Sequence, residues 1–542
     1  MRLLLSTLLM ATLVSASMAS AQDAPHLETR GTKGSEVTQL VVDGKPFLMI
    51  AGELRNSSSS SLDYMRPIWP RLADISLNTV LTPISWELVE PTEGTYDYSL
   101  IDGLLAQARD NHMKIVFLWL AAWKNGVSSY EPVWVKRDTK RFPRVYEKGN
   151  EVSTLSTFSP ALKEADSRAF AAVMQHIKEV DNAHTVLMMQ VENEVGILGS
   201  ARDHSAAAER AFSGAVPEAL TQYLKVHREN LDPEFSRLWR DNGEKTAGTW
   251  TEVFGNSERA DEIFMAWQYG LYVHAVAAKG KAAYNIPMYV NCWLGGGDDA
   301  PGTYPSGGPQ PRVIDIWKAA GASLGKTPSL DFYAPDLYKA EFAEWSNRYH
   351  RDGNTLFIPE TNGGDAGAAN IFYAVGEQAA MGFSPFAIDS AHEPEKDLGP
   401  SYKAIAEIAP ILLEAQGADA RNVHGFILDK GHPSVDFVIQ GNTVHVSLDE
   451  IFGFHAEKGF GLIIATAKDE FVGVGKGFRV LITPRSPTAA HIGFASIDEG
   501  NFADRKWIPG RRLNGDESDQ GNYWRFDQRD IHIEKATLYH FE

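Results

Sequence analysis

Eight short apolar runs, with amphipathic stretches between most of them, constrain this chain more than any other feature of its sequence. They are "PFLMIAGE" from Pro46, "NTVLTPISW" from Asn78, "KIVFLWL" from Lys114, "VLMMQVENE" from Val186, "PMYVNCW" from Pro287, "LDFYAPDLY" from Leu330, "TLFIPET" from Thr355 and "SPFAIDS" from Ser384. A continuous apolar run of this length, bounded by polar or Gly/Pro residues, reads as a strand buried on both faces of a parallel sheet. The stretches from Leu100 to His112 and from Ala161 to Val180 repeat apolar residues three and four apart, as amphipathic helices do. Eight strands alternating with helices predict an α/β fold, the (β/α)8 or TIM barrel.

The gap between the fourth and fifth runs is too long for one βα unit, so residues 197–285 are read as an insertion together with the fourth helix. The last barrel helix is "SYKAIAEIAPILLEAQG", closing at Gly417. Beyond it the apolar period changes to two, in short segments separated by Gly, Asn, Asp and Pro, which predicts a C-terminal antiparallel β-sandwich or jelly roll over 418–542. The catalytic barrel is thus assigned to 22–417, and bracing the barrel is the favoured role of the added sheet. The serine run at 56–61, "NSSSSS", reads as a flexible loop.

Met1 to Ala21 has a basic start, an apolar centre and a small-residue end, the three parts of a secretory signal peptide (1–21). The expectation is a periplasmic or secreted protein with no membrane attachment after cleavage. A formal charge of −19 argues against nucleic acid as a partner. One cysteine, Cys292, excludes an intramolecular disulfide and reads as a core thiol. No HExxH or paired His-carboxylate spacing calls for a metal, and no Gly-rich phosphate loop calls for a cofactor, so neither is expected. Nothing in the sequence sets an oligomeric state.

In a barrel of this kind the C-terminal strand ends share one mouth, where active sites are built. The unusual residues cluster there: Glu53, Arg55 and Asn56 after run one, Trp86 and Glu87 after run two, Trp119 and Trp123 after run three. Then come Glu192, Asn193 and Glu194, Asn291 and Trp293, Asp336 and Tyr338, Glu360, and Asp389. Acids interleaved with aromatic rings suit a sugar, which offers hydroxyls to carboxylates and C–H faces to rings. Cleaving a glycosidic bond needs two carboxyl groups, one protonated and one ionised. Runs four and seven lie across the mouth, so Glu194 and Glu360 are the natural pair.

The motifs "QVENEVG" and "FIPETNGG" resemble those of the clan of retaining barrel glycosidases whose acid/base Glu follows an Asn at strand four and whose nucleophile Glu ends strand seven. "NTVLTPISWELVEPTEGTYDYS", residues 78–99, is similar to glycoside hydrolase family 35 β-galactosidases, of the exported bacterial type with a β-domain after the barrel. That family places a Glu-Trp pair after strand three, where this chain has Ala122-Trp123. The 166 residues separating Glu194 from Glu360 (360 − 194) are nearer to family 42.

The resemblance implies a retaining exo-β-galactosidase acting on an oligosaccharide, with Glu194 as acid/base, Glu360 as nucleophile and Asn193 on the 2-hydroxyl. Tyr338 is read as orienting the nucleophile, Trp123 and Trp293 as sugar platforms, and Glu53 and Trp86 as further substrate contacts. Glu192 is read as structural. The alternatives are another retaining β-glycosidase of the clan and a non-catalytic carbohydrate-binding protein.

Overall fold

The computed structural model describes residues 23–542 apart from 297, 326, 352, 391–397, 487–489 and 504. The segment 1–21, read as a signal peptide, lies outside the described residues. Among the described residues no helix is long and apolar enough to cross a membrane.

Eight parallel strands close into a barrel in chain order: Met49–Glu53, Thr79–Ser85, Lys114–Lys124, Val186–Asn193, Met288–Trp293, Phe332–Leu337, Ile358–Thr361 and Gly382–Pro385, numbered one to eight below. The first seven fall on the apolar runs; the eighth begins two residues before "SPFAIDS" and shares only Ser384 and Pro385 with it. Side chains of alternate residues go to opposite faces. Val116, Leu118 and Leu120 of strand three therefore fill the barrel interior, while Phe117 and Trp119 join the cluster between barrel and helices. Two long outer helices, Pro160–Val180 and Glu258–Ala283, pack against each other. The first begins where a sequence would be expected to start one: Ser159 caps it by accepting from the Leu162 amide, and Pro160 needs no donor partner at N1.

The long fourth crossover holds the expected excursion, four short helices at Ala206–Phe212, Glu218–Val226, Pro233–Asp241 and Trp250–Phe254. Two features went unanticipated. A three-stranded antiparallel sheet, His26–Thr32, Ser35–Val42 and Lys45–Phe47, precedes strand one. Its Leu40 and Val42 join Met49, Phe332, Phe357 and Met381, closing the end of the barrel away from the mouth. The serine run is no loose loop: Ser58–Ser60 form a 3-10 turn, and the Ser58 and Ser59 hydroxyls donate to Asp389 Oδ2 and the Pro83 carbonyl, each at 2.5 Å.

The last barrel helix runs Leu398–Ala418 and leads into two antiparallel sheets. The six-stranded sheet and the four-stranded sheet enclose a core of Phe426, Phe437, Val444, Phe471, Val480, Trp524 and Phe526. Phe460, Leu462, Ile464, Val472, Val474 and Ile533 of the six-stranded sheet join the barrel's own hydrophobic core. Where the units meet, a Cβ at Gly425 would stand 2.2 Å from the Phe372 carbonyl, so no larger residue fits this close approach. The added domain is therefore built into the barrel wall, which suits a brace.

Candidate active site

Strands four, six and seven bring three carboxyl groups together. One oxygen from each of Glu194, Asp336 and Glu360 lies within 4.8 Å of the others, and all three residues are buried. Glu53, from strand one, is fully buried beside Glu360. Into this acidic centre the end of strand three inserts Lys124, itself only 6% exposed. Its Nζ donates to Asn193 Oδ1 at 2.9 Å and stands 3.9 Å from Glu360 Oε1.

The local backbone at the end of strand four explains how Glu194 reaches this place. Glu192 and Glu194 take φ of 63° and 44°, left-handed values costing on the order of 1–3 kcal/mol each in a non-glycine residue, so the strand's simple alternation stops. Glu192 turns outward. Its carboxylate accepts from the Ala122 and Trp123 amides at 3.1 and 2.9 Å, and it shares a hydrogen bond with Asp166 of the helix layer. Asn193 and Glu194 face Lys124 and Asn291: the Glu194 amide donates to Asn291 Oδ1 at 2.8 Å, and Asn125 Nδ2 donates to Glu194 Oε2 at 2.5 Å.

Protonation follows from the hydrogen-bond count. Both Glu53 oxygens, Asp336 Oδ1 and Glu360 Oε1 are buried with no N–H or hydroxyl donor among the described residues. The carboxyls of Glu53 and Glu360, and those of Asp336 and Glu194, are near enough to influence each other's protonation. Burial, then the charge of Glu360, push Glu53 and Asp336 well above the usual carboxylate range. The same two causes, opposed by Lys124 and by Asp336, lift Glu194 to about 7. Asp336 is held in turn by Asn291 Nδ2 at 2.7 Å. Tyr338 Oη donates to Glu360 Oε2 at 3.0 Å, and burial followed by the Glu360 charge raises the phenol, which keeps its proton.

The three carboxylates are close enough to hold a cation, but the centre's positive charge already comes from Lys124. Cys292 is buried, and burial pushes its thiol far up, so it is a packed thiol and no nucleophile.

Not every residue expected at the mouth is there. Trp123 is fully buried between Tyr269 and Tyr272, with ring centroids 5.0 and 4.6 Å away, and its Nε1 donates to the Leu155 carbonyl. It shares the outward face of strand three with Trp119 because Lys124 takes the inward position. Trp86 is fully buried too, donating to Glu90 Oε2 and packing edge-on to Trp134. Both are core residues and not sugar platforms. Trp293 and Tyr338, in contrast, are 37% and 43% exposed. Asn291 stands at the mouth as expected, whereas Lys124 and Asn125 were missed as parts of the centre. The signal for these two was a Lys-Asn pair closing an otherwise apolar strand.

A glycoside hydrolase family 42 model, described as "Beta-galactosidase", matches residues 68–253, and a domain of unknown function (DUF5597) matches 398–525. A β-galactosidase of Xanthomonas manihotis is 27% identical over 187 residues, which are 34% of this chain and 29% of that protein; the chain thus matches under a third of the relative's length. Among solved structures, the β-galactosidase of Rahnella sp. R3 has a TM-score of 0.46 at 15% identity, covering 68% of this chain and 57% of that one. The β-galactosidase of Bacillus circulans sp. alkalophilus has the same score and coverages at 12% identity. The catalytic domain of a β-amylase from Paenibacillus polymyxa also scores 0.46, at 13% identity, covering 66% of this chain and 98% of that one. The stretch 78–99 that resembles family 35 thus falls, with "QVENEVG", inside the span matched by family 42, and the likeness of that span is to β-galactosidases.

Proposed function

We propose that the chain is a retaining exo-β-galactosidase that removes terminal β-galactosyl residues from oligosaccharides, with family 42 as its nearer model and family 35 as the finer alternative. One observation carries the reading: two opposed carboxyls, Glu194 and Glu360, approach within 4.8 Å, and one of them is lifted to about 7. Carboxyls this close fall on the retaining side of the two separations that glycosidases use, which suits double displacement.

Glu194 carries its proton up to about pH 7 and donates it to the glycosidic oxygen as that bond breaks. Glu360, oriented by Tyr338 and faced by Lys124, attacks the anomeric carbon from the other side and forms a covalent glycosyl-enzyme. Glu194, now ionised, takes a proton from the water that releases the sugar with its configuration retained. The buried Nδ2 of Asn193 has no partner among the described residues and is the natural donor to the 2-hydroxyl. Glu53 is placed to meet other hydroxyls of the same sugar, and Trp293 to face the leaving part.

The choice of galactose rests on the likeness of the barrel. A panel of nitrophenyl β-glycosides differing only in the sugar tests it, with galactoside expected to be hydrolysed fastest; a preference for another sugar would move the protein to another β-glycosidase of the clan. A 2-deoxy-2-fluoro sugar with a good leaving group should label Glu360, and labelling of any other residue refutes the mechanism. Export is proposed on residues 1–21, and cell fractionation tests it.

A further inference from the structure

Strands three and four keep step as far as Trp119 opposite Val191 and resume at Lys124 opposite Asn193. Between these pairs four residues of strand three, Leu120 to Trp123, face one residue of strand four, Glu192. A bulge of that size breaks the ladder and leaves buried backbone amides to be satisfied by other means. The Glu192 carboxyl satisfies two of them: Oε1 accepts from the Ala122 amide at 3.1 Å and Oε2 from the Trp123 amide at 2.9 Å. The side chain is fully buried on the outward face, beside Asp166, which Trp119 Nε1 and the Tyr272 hydroxyl hold in turn. It therefore does not meet the substrate.

The bulge decides where strand three delivers its last residues. Continued without it, the register would set Ala121 opposite Asn193 and carry Lys124 three residues farther along, on the order of 10 Å. Instead Lys124 is level with Asn193, to which its Nζ donates at 2.9 Å, and stands 3.9 Å from Glu360. A tight turn follows, in which Asn125 and Gly126 take left-handed φ of 54° and 68°, as an Asn-Gly pair allows. The Gly126 amide donates to the Glu194 carbonyl at 3.0 Å, and Asn125 Nδ2 donates to the Glu194 carboxyl. The end of strand three is thus tied to the acid by both backbone and side chain.

We propose that Glu192 is a positioning residue of the catalytic centre: by holding the Ala122 and Trp123 amides it fixes the bulge that brings Lys124 level with Asn193 and up to Glu360. The inference rests on the proposed glycosidase reaction and adds to it a residue that acts through Lys124.

The test compares the full chain with Glu192→Gln, Lys124→Met and the variant carrying both. Glutamine keeps the shape of Glu192, but its amide nitrogen cannot accept, so one of the two bulge amides loses its partner. In Glu192→Gln, kcat on nitrophenyl β-galactoside per folded enzyme should fall at least tenfold. The Glu194 titration, followed by carbon-13 NMR, should move up from about 7, because Lys124 is one of the influences holding it down. The double variant should lie within threefold of Lys124→Met alone, since both changes act on the same ammonium. Glu192→Asp, which keeps the carboxyl and shortens its reach, takes the place of Glu192→Gln if that variant does not fold. A lower Tm with kcat within threefold of the wild type and an unmoved Glu194 titration would make Glu192 a packing residue and overturn the inference. Losses that multiply in the double variant would overturn it too, as would failure of both Glu192 variants to fold. If the wild type cleaves no glycoside, the glycosidase reading has failed instead, and the Glu194 titration alone decides whether Glu192 places Lys124.

Discussion

Replacing Glu360 by Gln keeps the shape of the site and removes one negative charge, so it measures how far that charge sustains the proton on Glu194. The nearest oxygens of the two carboxyls lie within 4.8 Å. At ~4–5 Å and an effective dielectric of about 20, two like charges repel by about 3–4 kcal/mol, an upper limit of about 3 pH units. Burial is the larger of the two causes lifting Glu194, and the substitution leaves it in place. Glu194 should therefore fall from about 7 by at least about 1 unit and still titrate above an exposed glutamate. Carbon-13 NMR of labelled glutamate carboxyls, followed against pH in Glu360→Gln, reads this directly. In the active wild type the same proton sets the alkaline limb of kcat/KM, expected near pH 7 because activity is present while Glu194 is protonated and lost as pH rises through its titration. A Glu194 titration unmoved by Glu360→Gln would show that the two groups do not sense each other and would refute the acid/nucleophile pairing.

Glu194→Ala should nearly abolish turnover of substrates with poor leaving groups, spare the first step for nitrophenyl substrates and regain turnover with azide, giving a β-glycosyl azide; rescue in Glu192→Ala instead would exchange the two roles. Lys124→Met removes the cation 3.9 Å from Glu360 and one of the influences holding Glu194 down, so kcat should fall at least about tenfold and the alkaline limb move to higher pH, with Lys124→Arg restoring part of both. An unmoved limb accompanied by a lower Tm would make Lys124 a packing residue. Trp123→Ala should cost about 3–5 kcal/mol in chemical denaturation, as emptied aromatic core sites do, with KM of the folded fraction little changed; a raised KM without loss of stability would return Trp123 to the substrate.

Local pattern determined the barrel. Strands buried on both faces must be written almost wholly in apolar residues, and helices lying on a sheet must carry an apolar stripe, so eight runs and the stretches between them declare the fold without reference to distant contacts. The acids that end those runs declared a shared mouth for the same reason, because an acid closing an apolar strand needs a purpose. Tertiary structure decided which of those residues point into the mouth. Trp123 and Lys124 are neighbours in sequence on opposite faces of one strand, and only the position of Tyr269 and Tyr272 behind it shows that the indole is core and the ammonium is at the centre. Glu192 and Glu194 are alike as sequence. They part because two left-handed backbone conformations, held by Asn291 on one side and by the Ala122 and Trp123 amides on the other, send one carboxyl outward to Asp166 and the other inward to Glu360. The proton on Glu194 likewise belongs to no single residue, since it depends on burial and on charges contributed by strands three, six and seven, and only closure of the barrel brings these together.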